Sequence, residues 1–256
     1  MKVRIKFTKT GPLKFIGHLD IMRYFQKAFR RADLDVEYSQ GFNPHQQMSF
    51  AAPLGVGLTS DGEYLDVSMH SSDAPETMIN RINEAMNEFI QVVDYKFLSD
   101  NSKNAMSIVA GADYLVSLKD GFDYLDKPVF EHKFMEFYNQ NSIVIIKKSK
   151  KSENEVDIKP MIYQVAFNRD EFNKLTGNLS VSNFSVAEVY DNGVTIYMQL
   201  ATGSVNNLKP ELVMEAFSQY LKEEYREAAF QVHRLEVYAD AGDDQNRKLV
   251  SLSDIK

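Results

Sequence analysis

The sequence contains no cysteine, and this absence removes several kinds of chemistry at once. Disulfides, thiolate metal sites, cysteine nucleophiles and an iron–sulfur cluster held by the chain itself all require cysteine. Any redox or radical step connected with this chain would therefore need a partner. We expect the chain to hold no cofactor of its own.

Long apolar runs are also missing. No stretch approaches the roughly 20 residues that a membrane-spanning helix needs. Residues 1–6 alternate charged and apolar side chains, which is unlike a signal peptide. We therefore expect a cytoplasmic protein with no membrane partner. No Ser/His/Asp set or pair of carboxylates stands out, and the glycine-containing loop at 203–206 lacks the lysine of a phosphate-binding loop, which argues against nucleotide hydrolysis.

Positive charge is scarce overall but concentrated at one end of the chain. The formal net charge is -7, which argues against a general nucleic-acid coat protein because phosphate neutralisation needs clustered Lys and Arg. Residues 1–50 nevertheless hold nine Lys and Arg against four Asp and Glu, a balance of +5 that leaves -12 for the remainder. A local basic face is therefore predicted within an acidic protein.

The first hundred residues alternate between the period of two typical of strands and the helical period of 3.6. Asp61 and Gly62 are interpreted as a turn before the third strand. The predicted order is strand, helix, strand, strand, helix, strand, which is the ferredoxin-like plan. The corresponding ranges are 2–8, 17–32, 35–52 with an interruption, 63–69, 75–89 and 90–98.

The same order recurs in the second part of the chain. Two more strand candidates, at 161–167 and 185–190, lie in an inserted region of about 150–192 between the middle strands. The residues from 241 to 256 are polar, and we expect a loosely attached tail. The repeated elements are a strand at 112–118, a helix at 128–139, strands at 142–148 and 194–200, a helix at 210–225 and a strand at 229–238.

The predicted fold class is therefore α+β, with two tandem ferredoxin-like (βαββαβ) halves, antiparallel sheets and an insertion in the second half. The predicted domains are 1–99 and 105–240, with 100–104 as a polar hinge between them.

Several motifs of the first half occur together in a known family. They are FTKTGPLKFIGHLD (7–20), RRA (30–32), YSQGFNPH (38–45), PLGVG (53–57) and EYLD (63–66). Together they resemble the radical SAM-linked proteins of the domain-of-unknown-function type 2344. The resemblance is strong over 3–69, and DIKPMI (157–162) and GSVNNLKP (203–210) extend it, although an arginine often replaces Lys159 and Lys209 in the family.

Members of this family occur fused after a radical SAM enzyme or encoded separately beside one. The resemblance implies that this chain works with a radical SAM protein. S-adenosylmethionine and an iron–sulfur cluster are then expected only in that partner.

The segment 38–50 has the highest density of special-purpose residues. Glycine at 41 permits a positive φ, and Asn43 before proline favours an extended backbone, so a structural turn could account for this motif. The segment also combines amide side chains with aromatic rings, a mixture that reads unpaired bases by stacking and edge hydrogen bonds. The candidate ligand-binding or RNA-binding residues here are Gln40, Phe42, Asn43, His45 and Gln47.

The first helix supplies a second group of candidates on the face away from its apolar stripe. Such a face could hold phosphates, or it could be an ordinary solvated surface with a weak ion pair. The resemblance to the family favours the binding interpretation for the two consecutive arginines. The candidates are Asp20, Arg23, Lys27, Arg30 and Arg31.

Histidine offers acid–base or metal chemistry near neutral pH. The weak catalytic candidates are His18, His45 and Tyr64. A metal site would combine His18, Asp20 and His45, and could add Asp66. We expect no such site, because residues two apart on a helix point in nearly opposite directions.

Three hypotheses follow. The first is an accessory or substrate-presenting subunit of a radical SAM enzyme that binds RNA or a ribosome-related substrate without catalysis of its own. The second is a stand-alone RNA-processing or RNA-modifying enzyme. The third is a structural module whose arginine face docks an acidic partner.

Overall fold

The computed structural model describes residues 1–148, 153–177, 185–243 and 246–255. These residues form a mixed α+β fold with eleven strands and six α-helices. The helices are α1 (His18–Arg31), α2 (Pro75–Glu84), α3 (Ala105–Ile108), α4 (Lys127–Tyr138), α5 (Arg169–Thr176) and α6 (Pro210–Leu221). The strands are β1 (Lys2–Lys9), β2 (Met48–Phe50), β3 (Thr59–Ser68), β4 (Val92–Leu98), β5 (Val109–Leu118), β6 (Val144–Lys148), β7 (Glu153–Asp157), β8 (Ile162–Ala166), β9 (Thr195–Ala201), β10 (Phe230–Asp240) and β11 (Leu249–Ser251).

Nine strands form one large, mostly antiparallel sheet in the order β4-β1-β3-β10-β5-β9-β8, with β2 against β3 and β11 against β10. Strands β6 and β7 form a separate hairpin. The chain divides into unit 1, which is Met1–Gly111, Ser185–Ala187 and Arg234–Lys256, and unit 2, which is Ala112–Phe184 and Glu188–His233. None of the helices in the described ranges is long and apolar enough to cross a membrane.

The apolar face of the sheet in unit 1 follows from the alternation in β1 and β3. Val3, Ile5 and Phe7 of β1 are buried in the core beside Leu65 and Val67 of β3. Within unit 1, β1 pairs antiparallel with β3 and β4, and β2 pairs antiparallel with β3. The period-two pattern therefore predicted β1 and its buried face.

Helix α1 covers this apolar face, and its bounds agree with the predicted range 17–32 to within one residue at each end. Its buried side chains are Ile21, Phe25, Ala28 and Phe29, which recur at helical spacing. The Phe25 ring meets Phe7 edge to face, with 4.6 Å between the ring centroids. Aromatic packing thus orients α1 and leaves its charged residues on the outer face.

The opposite face of β1 and β3 is polar and covered by other segments of unit 1. Arg4 forms a bidentate pair with Asp66, at 2.8 Å and 3.0 Å, and donates to the carbonyl of Leu252 at 3.0 Å. Asp66 also accepts from the backbone of Ala105 at 2.7 Å. Leu252 is fully buried and β11 pairs with β10, so the expectation of a loosely attached tail is wrong. The polar composition of 241–256 hid the few residues that anchor it.

Gly62 is not part of a turn, contrary to the sequence interpretation. It lies inside β3, and a Cβ at this position would come within 2.9 Å of the carbonyl oxygen of Leu235 and 3.2 Å of the Cα of Glu236. Glycine is needed here because the backbones of β3 and β10 approach closely, not because the chain reverses.

In unit 2, helices α4 and α6 meet through aromatic rings. Phe134 and Phe217 have ring centroids 4.9 Å apart, and Phe130 and Phe137 are buried beside them. These helices agree with the predicted ranges 128–139 and 210–225, although α6 ends at Leu221.

Two strand assignments in the second half need correction. The predicted middle strand at 142–148 is β6, which pairs with β7 in the hairpin, while β8 pairs with β9 in the large sheet. Residues 185–190, predicted as a strand, have no regular secondary structure. Ser185 and Val186 instead bind the carboxylate of Asp61, at 2.6 Å and 3.0 Å. Residues 149–152 and 178–184 of the predicted insertion lie outside the described residues.

The buried pair of Arg4 and Asp66 should contribute much more to stability than the exposed pair of Asp20 and Arg23. Asp66→Asn leaves the guanidinium of Arg4, whose side chain is 2% exposed, without a counter-charge. We expect the free energy of unfolding to fall by about 3 kcal/mol. Asp20→Asn, which removes a pair more than 60% exposed on both sides, should cost less than about 0.5 kcal/mol. Urea unfolding followed by circular dichroism checks this, and equal losses for the two variants would contradict it.

Candidate nucleic-acid interface

Residues 38–46 form a closed loop whose two ends are hydrogen-bonded to each other. Tyr38 and Gln46 form an isolated β-bridge, and the backbone of Ser39 donates to the carbonyl of His45 at 2.8 Å. The hydroxyl of Ser39 accepts from the backbone of His45 at 3.0 Å and lies 2.8 Å from its Nδ1. His45 therefore closes the loop. The sequence predicts a ligand-binding or catalytic role for this residue.

The tip of this loop is exposed. Phe42 is fully exposed to solvent, and Gln40 and Asn43 on either side of it are exposed as well. Gly41 has a φ of +117°, which residues with a Cβ rarely adopt. The prediction that glycine supplies a positive φ is confirmed, and the turn holds the Phe42 ring in solvent.

The outer face of α1 carries exposed cations. Asp20 and Arg23 form an exposed ion pair of 3.1 Å. Lys27 and Arg30 are exposed, and their side chains make no ion pair or hydrogen bond with any residue in the described ranges. Arg31 differs, because it donates to the carbonyl of Ala85 at 2.5 Å. The cations on this face are Lys27 and Arg30, which have no partner in the described ranges, and Arg23, whose exposed pair with Asp20 is weak; we call these three residues the α1 stripe.

The base of the loop adjoins α1 beside this stripe. The side-chain amide of Gln46 donates to the hydroxyl of Tyr38 at 3.3 Å and makes a long contact of 3.5 Å to the carbonyl of Gln26 in α1. Gln26 is three residues after Arg23 and four before Arg30, and residues at this spacing share a helix face. The loop and two members of the stripe therefore lie on neighbouring parts of unit 1.

Gln47 points elsewhere. Its side-chain amide donates to the carbonyl of Tyr38 at 3.1 Å, and the residue lines a cleft of about 290 Å³ with Lys2, Ser49 and Asn104. Successive residues of an extended chain point to opposite faces. Gln46 therefore faces α1, and Gln47 faces the polar side of the sheet. The structure does not bring Gln47 together with the α1 stripe.

His18 belongs to a different group of ionisable residues. With Lys9 and Glu63, it lines a very small cavity, and its ring meets Phe50 edge to face at 5.1 Å. Glu63 forms a buried bidentate ion pair with Arg234. Lys9 is 2% exposed and donates to the carbonyl of Ile16 at 3.2 Å.

Burial shifts the proton affinities of this group. Burial lowers the pKa of the Lys9 ammonium, the carboxylate of Glu63 partly restores it, and the guanidinium of Arg234 lowers it further. Burial also lowers the pKa of His18, against the raising effect of Glu63. Lys9, Glu63 and Arg234 are not among the candidates that the sequence predicts. The sequence does contain a signal for two of them. With a period of two, Lys9 follows the buried positions 3, 5 and 7 of β1, and Glu63 precedes the buried positions 65 and 67 of β3.

Tyr64 does not join this group. Its hydroxyl donates to Glu236 at 2.6 Å and lies 3.0 Å from the hydroxyl of Ser251. Burial, with the nearby carboxylate of Glu236, raises its pKa well above the ordinary value. Because Tyr64 and Glu63 are successive residues of β3, they face opposite sides of the sheet. The three catalytic candidates His18, His45 and Tyr64 therefore occupy three separate environments.

The residues named for a metal-site alternative have separate partners in the structure. Asp20 pairs with Arg23, and Asp66 pairs with Arg4 on the polar face of the sheet. His45 is engaged with Ser39. No group of three or more His, Asp or Glu residues within the described ranges could hold a metal ion.

The shift at His18 predicts a measurable titration. The imidazole should titrate below the ordinary histidine pKa of 6.5, because burial disfavours the charged form. The unfolded chain then binds this proton more tightly, so the stability from His18 is present above about pH 6.5 and is lost as the pH falls. NMR titration of the His18 ring in the folded protein and in concentrated urea checks this, with His18→Gln to assign the signal. A folded-state pKa at or above the unfolded value would refute it.

Comparison with known sequences agrees with the motifs. A family model described as "Uncharacterized protein conserved in bacteria (DUF2344)" matches residues 2–210. No curated protein matches the chain. The matched range includes the loop at 38–46, the α1 stripe, and Lys9, His18 and Glu63. Since the match covers most of the sequence, this chain belongs to the DUF2344 family.

Proposed function

We propose that this chain is an accessory subunit that binds single-stranded RNA and presents it to a radical SAM enzyme in the cytoplasm. The observation that carries the proposal is the adjacency of the Phe42 loop and the α1 stripe. An exposed aromatic ring stacks on a base of any sequence, and neighbouring cations bind the phosphates on either side of it. Duplex RNA fits this surface less well, because its bases are not available for stacking on Phe42.

We propose a radical SAM protein as the partner for two reasons, the family motifs and the absence of cysteine. Without cysteine, the chain cannot ligate an iron–sulfur cluster by thiolates. The cluster and S-adenosylmethionine would belong to the radical SAM protein, and this chain would supply the substrate. The proposed substrate class is RNA or a ribosome-related substrate, as the sequence predicts.

We also infer a tandem ferredoxin-like organisation. Two strand orders support this inference. The elements β1, α1, β2, β3, α2 and β4 have the sheet order β4-β1-β3-β2, and the elements β5, α4, β8, β9, α6 and β10 have the order β10-β5-β9-β8. The same order appears twice if the β6–β7 hairpin and α5 are additions to the second half. Domains of 1–99 and 105–240 remain our proposal for its boundaries.

The proposal predicts that removing the α1 stripe weakens RNA binding in a salt-dependent way. Arg23→Ala, Lys27→Ala and Arg30→Ala together should reduce affinity for a single-stranded oligonucleotide at least tenfold. The slope of log affinity against log salt should become shallower by about 2, because each phosphate contact on a single strand contributes about 0.7. Fluorescence anisotropy at several salt concentrations measures both quantities.

Two comparisons make this experiment specific. Lys127→Ala, Lys133→Ala and Lys174→Ala remove the same charge from helices of unit 2 and should leave binding unchanged. Phe42→Ala should weaken binding by about 1–3 kcal/mol with little change in slope, because it removes stacking and no charge. Equal effects of the two triple variants would overturn the RNA proposal. Loss of binding to an acidic protein but not to RNA would favour the docking-module alternative.

A second function, a stand-alone RNA-processing or RNA-modifying enzyme, is favoured by one observation. Lys9, His18 and Glu63 line one cavity, and burial lowers the pKa of both Lys9 and His18. A histidine that is neutral near pH 7 can accept a proton from a substrate hydroxyl. The fold analogy is weaker support, since one fold hosts many functions.

One reconstitution separates the two functions. The accessory role predicts that this chain co-purifies with a radical SAM enzyme of the same organism, and that RNA is modified only when both proteins are present. The triple α1 variant should still associate with the enzyme but should lower product formation. Altered RNA with this chain alone, abolished by His18→Gln, would establish the enzyme instead. Failure to associate, with no effect on the product, would sink the accessory role.

A further inference from the structure

The cleft that Gln47 lines has a floor made by one row of side chains across the sheet of unit 1. Lys2 of β1 is in register with Ser68 of β3 and with Leu98 of β4. The backbone of Ser68 donates to the carbonyl of Gln47 at 3.0 Å, which extends the row to the edge of the sheet. Four strands at about 4.8 Å spacing make this floor about 14 Å long.

On the same face, the next two rows, which contain Arg4 and Lys6 of β1, are covered by other segments of unit 1. Arg4 binds Asp66 and the carbonyl of Leu252, and Lys96 donates to the carbonyl of Ser253 at 2.6 Å. Lys6 pairs with Glu236 at 2.7 Å. The cations of these rows are therefore occupied by unit 1 itself. The Lys2 ammonium differs, because it makes no ion pair or hydrogen bond with any of the described residues.

The walls of the cleft add directed polar groups. Asn104 accepts through its side-chain oxygen from Met106 and from the hydroxyl of Ser49, at 2.9 Å and 3.2 Å, which leaves its amide nitrogen without a partner in the described ranges. Gln47 donates through its amide nitrogen to the carbonyl of Tyr38, and its side-chain oxygen accepts no hydrogen bond from the part of the chain that the structure describes. The cleft is therefore lined by one unused donor, the amide nitrogen of Asn104, and one unused acceptor, the side-chain oxygen of Gln47, together with the Lys2 ammonium.

We infer that this cleft binds one nucleotide, with Lys2 on the phosphate and the amides of Gln47 and Asn104 on the edge of the base. Leu98, which is in register with Lys2, supplies an apolar contact for the base. The volume of about 290 Å³ is near the lower end, about 300 Å³, of cavities that hold small ligands. Asp66 also lines the cleft, but its two oxygens are engaged by Arg4 and Ala105, so its charge is compensated.

The inference extends the proposed RNA function and rests on it for the origin of the nucleotide. An RNA strand that is bound by Phe42 and the α1 stripe would lie on the helix side of residues 46 and 47. Its next base could then enter the cleft on the polar side of the same segment. Gln46 and Gln47 are successive residues that face the two sites. The cleft would then hold the nucleotide that is displayed or protected while its neighbours are bound by the loop.

The test uses the full chain and 5′-mononucleotides as probes, with inorganic phosphate and nucleosides as separate arms. NMR shift changes on titration should concentrate at Lys2, Gln47, Ser68 and Asn104. Lys2→Gln should weaken mononucleotide binding about tenfold, the factor that corresponds to one lost charge-assisted hydrogen bond. Ser68→Leu should abolish binding by filling the floor. Lys174→Gln, which removes an exposed charge from α5, is the matched control and should leave mononucleotide binding unchanged.

The outcomes separate this site from the proposed RNA surface. Mononucleotide binding that survives the triple α1 variant supports the cleft even if oligonucleotide binding by the stripe fails. Shift changes confined to the α1 stripe overturn the cleft, whatever the oligonucleotide result. Phosphate alone binding as tightly as a mononucleotide also overturns it, because the base would then contribute nothing. Unchanged spectra outside the cleft in each variant confirm that the fold is retained.

Discussion

The burial of charge on both faces of β3 is the constraint on which the rest of unit 1 depends. Glu63 faces the helix side and is neutralised by Arg234, while Asp66 faces the other side and is neutralised by Arg4. Leaving either carboxylate without its arginine would cost several kcal/mol, because a lone charge is strongly disfavoured in a protein interior. These pairs therefore fix which segments can cover the sheet. Arg234 also donates to the carbonyl of Ala52, and Arg4 to that of Leu252.

The same constraint sets the position of α1. Lys9 lies on the helix side of the sheet beside Glu63, and its ammonium donates to the carbonyl of Ile16 just before the helix begins. Phe50 then packs on Phe25 and His18. The stripe and the loop are thus presented by a buried scaffold. Groups held in place before binding lose less entropy when a ligand arrives, so a surface with few contacts can still bind usefully.

Periodicity predicted much of this fold and little of its polar interior. Apolar side chains at positions 3, 5 and 7 predicted the buried face of β1, and helical spacing predicted α1. The same period places Lys9 on that face, but one sequence cannot show which distant residue compensates a buried charge. Glu63 and Arg234 are 171 positions apart. For the same reason, β6 and β8 were equally acceptable as partners of β9, because pairing depends on tertiary contacts and not on the pattern within either strand.

The segment 46–50 at the edge of the sheet faces α1 with one side and the cleft with the other. Strand β2 has three residues and pairs antiparallel with β3. A slip of one residue in this pairing would exchange the faces of Gln46 and Gln47. Phe50 opposes such a slip, because it is buried against Phe7 and Phe25 and would be expelled into the polar side. The packing of Phe50 at the end of β2 therefore determines which side chains before β2 face α1 and which face the cleft.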